Sequence, residues 1–130
     1  MLKSVSVPQF DHAVLSARAM LHAGRERSID ARRFLDRDYA GIALGWSVRA
    51  TEERTIELAF EETHSTYVEY SQLFLGHRRD RLRELRTALP FRLAAGWSLT
   101  PQAIYQENRS NVVLASFRRS QLLVELRREY

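Results

Sequence analysis

The feature that most restricts the fold of this chain is a change of hydrophobic period at Tyr39. From there, apolar residues alternate with small or polar ones on both sides of a turn over residues 51–54. The apolar residues of this alternation are Ile42, Leu44, Trp46, Val48, Ile56, Leu58 and Phe60. A period of two is that of a β-strand with one apolar face. The segment therefore predicts an antiparallel hairpin that buries this face and exposes the other, which carries Thr55, Glu57 and Glu61.

Two helices are predicted before this hairpin. Residues 6–9, Ser-Val-Pro-Gln, have the form of a helix start with proline in the first turn. Apolar residues then recur at helical spacing up to Gly24, which predicts a helix over about 8–23. A second, shorter helix is expected from Ser28 towards Asp38, because serine is a favourable N-cap.

A central helix is predicted over about 77–89, where Leu82, Leu85 and Leu89 share one helical side and Pro90 ends the pattern. Residues 65–75 suit either a third strand or the start of a long helix. The strand is favoured, because Gly76 would cost a helix interior about 1 kcal/mol.

The remaining segments are predicted as short elements. They are an extended segment at 91–99, a short helix or turn at 100–101, a strand at 111–117, a turn at 118–120, and a last strand at 121–128, with a C-terminal helix as its alternative.

Together these elements predict one α+β domain over 1–130. It has N-terminal helices, an antiparallel β-meander, a central helix and a second set of antiparallel strands. Residues 42–48 resemble residues 93–99, which indicates a helix-plus-three-strand unit used twice, over about 28–75 and 77–130. A chance similarity between two strands is the alternative. The helix, strands, helix, strands order resembles secretion chaperones and phage tail-completion proteins in topology only.

Composition excludes several chemistries. The chain has no cysteine, which removes disulfides, thiolate nucleophiles and cysteine-ligated metals. No secretory signal is visible, and the apolar stretch at 39–48 is too short for a membrane-spanning helix. We therefore expect cytoplasmic residence and no membrane contact. The histidines lack metal-ligand spacing and no nucleophile motif occurs, so we predict no catalytic residue, metal or cofactor.

The positive charge of the chain is almost entirely arginine, and its net charge is +4. Arg79, Arg83 and Arg86 have helical spacing opposite the leucines and could neutralise phosphates, or could pair with Asp80 and Glu84 as a solvated face. We predict a surface that binds an acidic partner or phosphate groups through nine residues: Arg78, Arg79, Arg81, Arg83, Arg86, Arg118, Arg119, Arg127 and Arg128.

Two tryptophans lie in matching Gly-Trp-Ser settings. Trp46 and Trp97 could form the walls of a ligand pocket, but core anchors are favoured, because large aromatic side chains dominate cores.

Three functions remain open from the sequence. The first is a non-enzymatic binding or assembly protein that uses its arginine-rich surface on an acidic protein or on its own subunit as a homodimer. The second is a nucleic-acid-binding regulator that uses the arginines of 78–86; a helix-turn-helix over 100–112 is disfavoured, because it lacks the turn glycine. The third is a small enzyme or ligand-binding domain with a pocket near Trp46 or Trp97.

Overall fold

The computed structural model of the chain describes residues 3–6, 14–28, 36–51, 54–71 and 75–128. Within these ranges there are eight β-strands: β1 (Lys3–Ser6), β2 (Val14–Glu26), β3 (Arg37–Thr51), β4 (Arg54–Ser71), β5 (Gly76–Ala88), β6 (Phe91–Arg92), β7 (Trp97–Ser110) and β8 (Phe117–Arg128). Three-residue 3₁₀ helices at Ala94–Gly96 and Val113–Ala115 lie in the turns before β7 and β8.

The strands form one antiparallel sheet in which chain neighbours are also spatial neighbours. Its order is β1-β2-β3-β4-β5-β7-β8, and all described pairings are antiparallel. The two-residue β6 pairs with β7 and, at Phe91, with Arg54 of β4. It therefore continues the line of β5 beyond Pro90. None of the helices in the described part of the chain is long and apolar enough to cross a membrane.

The predicted α+β class is wrong, because the described residues contain no α-helix. Residues 14–23 of the predicted first helix lie in β2, and its first residues, 8–13, fall outside the described ranges. Alternation at Leu15, Ala17, Ala19 and Leu21 fits a period of two as well as the helical pattern did. A short apolar, alanine-rich segment is compatible with either period, so it does not distinguish a strand from a helix.

The second and third predicted helices have similar outcomes. Residues 29–35 of the second fall outside the described ranges, while Arg37 and Asp38 already belong to β3. The central helix at 77–89 is wrong, since β5 occupies Gly76–Ala88. Its arginines, leucines and glutamates favour a helix intrinsically, but hydrogen bonding to β4 on one side and β7 on the other overrides that preference.

Several strand predictions are confirmed. The hairpin across residues 51–54 is β3 and β4, and the last strand covers 121–128. Residues 65–71 are extended as expected but continue β4 and do not form a third strand, and residues 72–74 lie outside the described ranges. The strand at 111–117 and the turns at 100–101 and 118–120 are wrong: the first is a turn, and the others lie within β7 and β8. No helix-plus-three-strand unit occurs in the described ranges.

The sheet is a single layer without a dry interior among the described residues. No described side chain is less than 2% exposed, and the buried apolar residues are only Tyr67, Ala88 and Val112. The prediction that the apolar side of the β3–β4 hairpin is buried is therefore wrong. Ile42, Ile56 and Leu58 are all exposed. Hydrogen bonding along the strands, and not a packed core, accounts for the order of this sheet.

Gly41 allows one close contact across the middle of the sheet. It lies opposite His22, whose ring passes over it so that Nε2 approaches Oγ1 of Thr63 at 3.1 Å. A Cβ atom on Gly41 would lie 2.5 Å from Nε2 of His22 and would overlap the backbone carbonyl oxygen of Glu62. Gly45, on the same strand, has open space, with its nearest atom 3.9 Å away.

We expect Gly41→Ala to lower the free energy of unfolding by about 1–3 kcal/mol, because the backbone of β4 would have to shift. Gly45→Ala is the matched control, and it should stabilise the sheet by roughly 0.5–1 kcal/mol through reduced chain entropy. Denaturant titrations of the two variants test this. Equal effects of the two substitutions would contradict the close contact at Gly41.

Candidate functional site

The register of the strands defines two chemically different faces. Directly opposed residues of an antiparallel pair point to the same side of the sheet, and side chains alternate along each strand. One side, called here the apolar face, is made by Leu15, Ala17, Ala19, Leu21, Ile42, Leu44, Trp46, Val48, Ile56, Leu58, Phe60, Leu85, Leu99, Pro101, Ala103, Tyr105, Leu122, Val124 and Leu126.

This apolar face is broadly exposed. Leu21 on β2 is 82% exposed, and Leu122 and Val124 on β8 are 86% and 70% exposed. Trp46 and Tyr105, nearer the middle of the sheet, are also exposed. No described element packs over these side chains, since the described strands belong to a single layer.

The opposite side, called here the polar face, is the better covered of the two. It carries Arg18, His22, Glu26, Arg37, Glu61, Ser65, Tyr67, Asp80, Glu84 and Asn108. Ser65, Tyr67, Asp80 and Asn108 are buried. Three surface grooves are lined mainly by this face. The buried residues of the strands therefore lie mainly on the polar face, whereas Arg18, Glu26 and Glu61 of the same face are exposed.

Ion pairs and hydrogen bonds hold several of the charged groups on the polar face. The Arg37 guanidinium donates to Glu26 at 2.7 and 3.1 Å, and the pKa of the Glu26 carboxyl is lowered chiefly by this hydrogen bond. Arg78 stacks over the ring of Tyr67, 4.4 Å from its centroid, and donates to Asp80 at 3.0 Å. His22 lies 3.6 Å from Glu61, and its buried Nδ1 has no hydrogen-bond partner in the described part of the chain.

A second charged group lies on the apolar face, at one end of its apolar run. Five arginines, called here the arginine cluster, share this position: Arg79, Arg81, Arg83, Arg109 and Arg118.

Glu62 is one of two carboxylates that pair with arginines of this cluster. It follows Phe60 on the same side of β4, lies opposite Arg83, and accepts hydrogen bonds from Arg81 at 2.9 Å and from Arg83 at 2.7 Å. His64 contacts it at 2.8 Å. These partners, Arg81 foremost, lower the pKa of Glu62 to about 2.

Glu107 is the second carboxylate of the cluster. It is buried in β7, between Arg83 of β5 and Arg118 of β8. Arg109 and Arg118 donate to its Oε1 at 3.1 and 3.0 Å. The hydrogen bond from Arg109 is the main cause of its lowered pKa.

The structure separates the nine arginines predicted from the sequence. Arg79, Arg81, Arg83 and Arg118 are on the side of the apolar face, as is Arg128, whose guanidinium lies 5.5 Å from the ring centroid of Trp97. The others, Arg78, Arg86, Arg119 and Arg127, are on the polar side. The helical stripe of Arg79, Arg83 and Arg86 does not form, because Arg83 and Arg86 are three positions apart and so point to opposite sides of a strand.

Sequence reasoning missed Arg109, Glu62 and Glu107 as members of the cluster. Arginine at every second position, 79, 81 and 83, is a period-two signal that indicates one face of a strand. It was overlooked because a helix was assigned there. Arg109 and Glu107 show the same period on β7, but only the register places them beside β5.

Trp46 and Trp97 are both on the side of the apolar face. Trp46 is in the middle of β3 and Trp97 begins β7 after a 3₁₀ turn. They are 38% and 36% exposed, so neither is a core anchor. β4 and β5 lie between the two strands, so the residues do not line one pocket together.

Within the described ranges, no group of three or more His, Asp or Glu side chains is arranged to hold a metal ion. The chain matches no protein-family model, no curated protein and no solved structure. The contrast between the two faces is therefore the feature from which a function can be argued.

We expect Glu62 to make the stability of the sheet depend on acidity. The pKa of its carboxyl group is lowered from 4.5 to about 2. Its ion pairs therefore stabilise the fold fully above pH 4.5, and this contribution is lost as the pH falls towards 2. Glu62→Gln should lower the unfolding free energy at neutral pH and flatten its decline across that range. Denaturant titrations at a series of pH values measure both effects.

Glu57→Gln is the control on the same strand, because the side chain of Glu57 forms no hydrogen bond or ion pair with the described residues. It should leave the pH dependence unchanged. If Glu62→Gln and Glu57→Gln gave the same profile, the ion pairs of Glu62 would not be the source.

Proposed function

We propose that this chain is a non-enzymatic lipid-binding element, whose apolar face contacts the acyl chains of a bilayer. The observation that supports this proposal is the broad exposure of the apolar face, on which Leu21, Leu122 and Val124 are largely open to solvent. Exposed apolar surface costs about 25 cal/mol per Å² in water, and large contiguous patches of it mark interaction sites. An apolar surrounding removes that cost.

On β4 and β8 the length of the apolar run fits a bilayer interior, whereas β5, between them, carries Leu85 alone as an apolar residue on this face. On β4 the apolar run is bounded by Arg54 and Glu62, eight positions apart, or about 27 Å at roughly 3.4 Å per residue. On β8 it is bounded by Arg118 and Arg128, ten positions apart, or about 34 Å. The hydrocarbon part of a bilayer is about 30 Å thick. Strands in lipid show this alternation of apolar and polar side chains.

The match in length is the reason for preferring lipid to a second copy as the cover of this face. A second copy packed on this face is an outcome that the experiment below detects.

The earlier hypotheses have less support from the geometry. An arginine-rich surface that binds an acidic protein or nucleic acid would leave the exposed apolar face without a cover. The expectation of no membrane contact was based on the length of uncharged runs. That criterion does not detect strands in which apolar and polar residues alternate. Cytoplasmic residence stays a prediction.

The absence of cysteine allows a direct test by single-cysteine scanning of residues 121–126 on β8. Each variant is labelled with an environment-sensitive fluorophore and mixed with phosphatidylcholine vesicles that carry brominated acyl chains. We expect quenching at 122, 124 and 126 and little at 121, 123 and 125, because only the first set belongs to the apolar face. Trp46 and Trp97 of the unmodified chain should be quenched as well.

Labels on β2 provide a second strand for the same comparison, with Leu21→Cys on the apolar face and Met20→Cys on the polar face. Equal quenching at both parities, or none at either, would refute the proposal. Cross-linking of Leu122→Cys to itself without lipid quenching would refute it too, and would identify a second copy as the cover of this face.

A further inference from the structure

We propose that the arginine cluster binds the phosphate groups of anionic lipid headgroups. This inference rests on the proposed function, because a bilayer in contact with the apolar face would bring headgroups to its charged end. The cluster lies where the apolar run stops: Leu85 is followed on the same side of β5 by Arg83, Arg81 and Arg79 in the direction of its N-terminus. A lipid phosphate lies at the corresponding boundary between hydrocarbon and water.

The cluster carries more positive charge than its own carboxylates neutralise. Five guanidinium groups face two carboxylates, Glu62 and Glu107, which leaves an excess of three positive charges. His64 adds positive charge when it is protonated. The side chain of Arg79 is exposed and forms no hydrogen bond or ion pair with the described residues.

The register places two like charges directly against each other. Arg81 of β5 is opposite Arg109 of β7, and like charges in opposed positions destabilise a sheet. Their carboxylate partners belong to different strands, since Arg81 turns to Glu62 of β4 and Arg109 to Glu107 of β7. An anion at this pair would relieve the repulsion that remains.

Phosphate is the anion that this arrangement fits best. Guanidinium groups bind phosphate oxygens through charge-assisted hydrogen bonds. Arg79 and Arg81 lie on the same side of β5, and Arg109 lies opposite Arg81 on β7. Tyr105 and Leu85 adjoin the cluster on its apolar side. A ligand with a phosphate at one end and an apolar body at the other would contact both, as an anionic lipid does.

The test compares binding to vesicles of phosphatidylcholine alone with binding to vesicles that also contain phosphatidic acid. The test variant is Arg79→Gln/Arg81→Gln/Arg109→Gln, in which Glu62 keeps Arg83 and Glu107 keeps Arg118. The control is Arg18→Gln/Arg86→Gln/Arg119→Gln, which removes the same charge from the polar face. Circular dichroism establishes that both variants retain strand structure.

We expect the unmodified chain and the control to bind phosphatidic acid vesicles more tightly than phosphatidylcholine vesicles, and the test variant to lose that preference. The loss should be on the order of a hundredfold for three arginines near an anionic surface. Equal losses in both triple variants would overturn the proposal and leave net charge as the cause. Full competition by inorganic phosphate would overturn the assignment to a lipid headgroup.

The phosphatidylcholine vesicles separate this inference from the proposed function. If the unmodified chain binds them with the expected quenching pattern but shows no preference for phosphatidic acid, only the headgroup site is refuted. If it does not bind them, the proposed contact with acyl chains fails. Binding to phosphatidic acid alone, lost in the test variant, would support the cluster while refuting the apolar contact.

Discussion

The hydrogen-bond ladder that joins β3, β4 and β5 is the interaction on which the rest of the molecule depends. Among the described residues no side chain is fully buried, so the sheet has no interior that could position its strands. Long pairings of 15- and 18-residue strands supply the order instead. Since each paired position sets the direction of a side chain, the ladder also determines which residues meet.

The two faces are products of that register. Apolar residues of strands distant in sequence, such as Leu21 on β2 and Leu126 on β8, come to one side because every intervening pairing keeps the parity. The same parity places Arg83 between Glu62 and Glu107, in a row that crosses three strands. A charged row at the end of an apolar surface is therefore a result of pairing, and no single segment of the chain contains it.

How much could be predicted depended on whether the local pattern was unambiguous. The pattern of the β3–β4 hairpin was unambiguous, because apolar and polar residues alternate with little interruption over 42–48 and 56–60. The pattern of β5 was ambiguous, because arginine, leucine and glutamate favour helices. Only pairing with β4 and β7 makes this segment extended. The arginine set was foreseen in part, but its division between two faces, and its neighbours Arg109 and Glu107, required the register.

The alternation of β4 restricts how this sequence can change length. Removal of Ala59 alone would turn Phe60 to the polar face and bring Glu61 and Thr63 to the apolar face. Removal of Ala59 and Phe60 together would leave the parity of every later residue intact. A two-residue insertion or deletion inside a long strand therefore preserves both faces, whereas a single-residue change reverses the later side chains unless a β-bulge absorbs it. The turns have no such restriction. Length variation among descendants of this sequence should accumulate at the turns and, within strands, in steps of two residues.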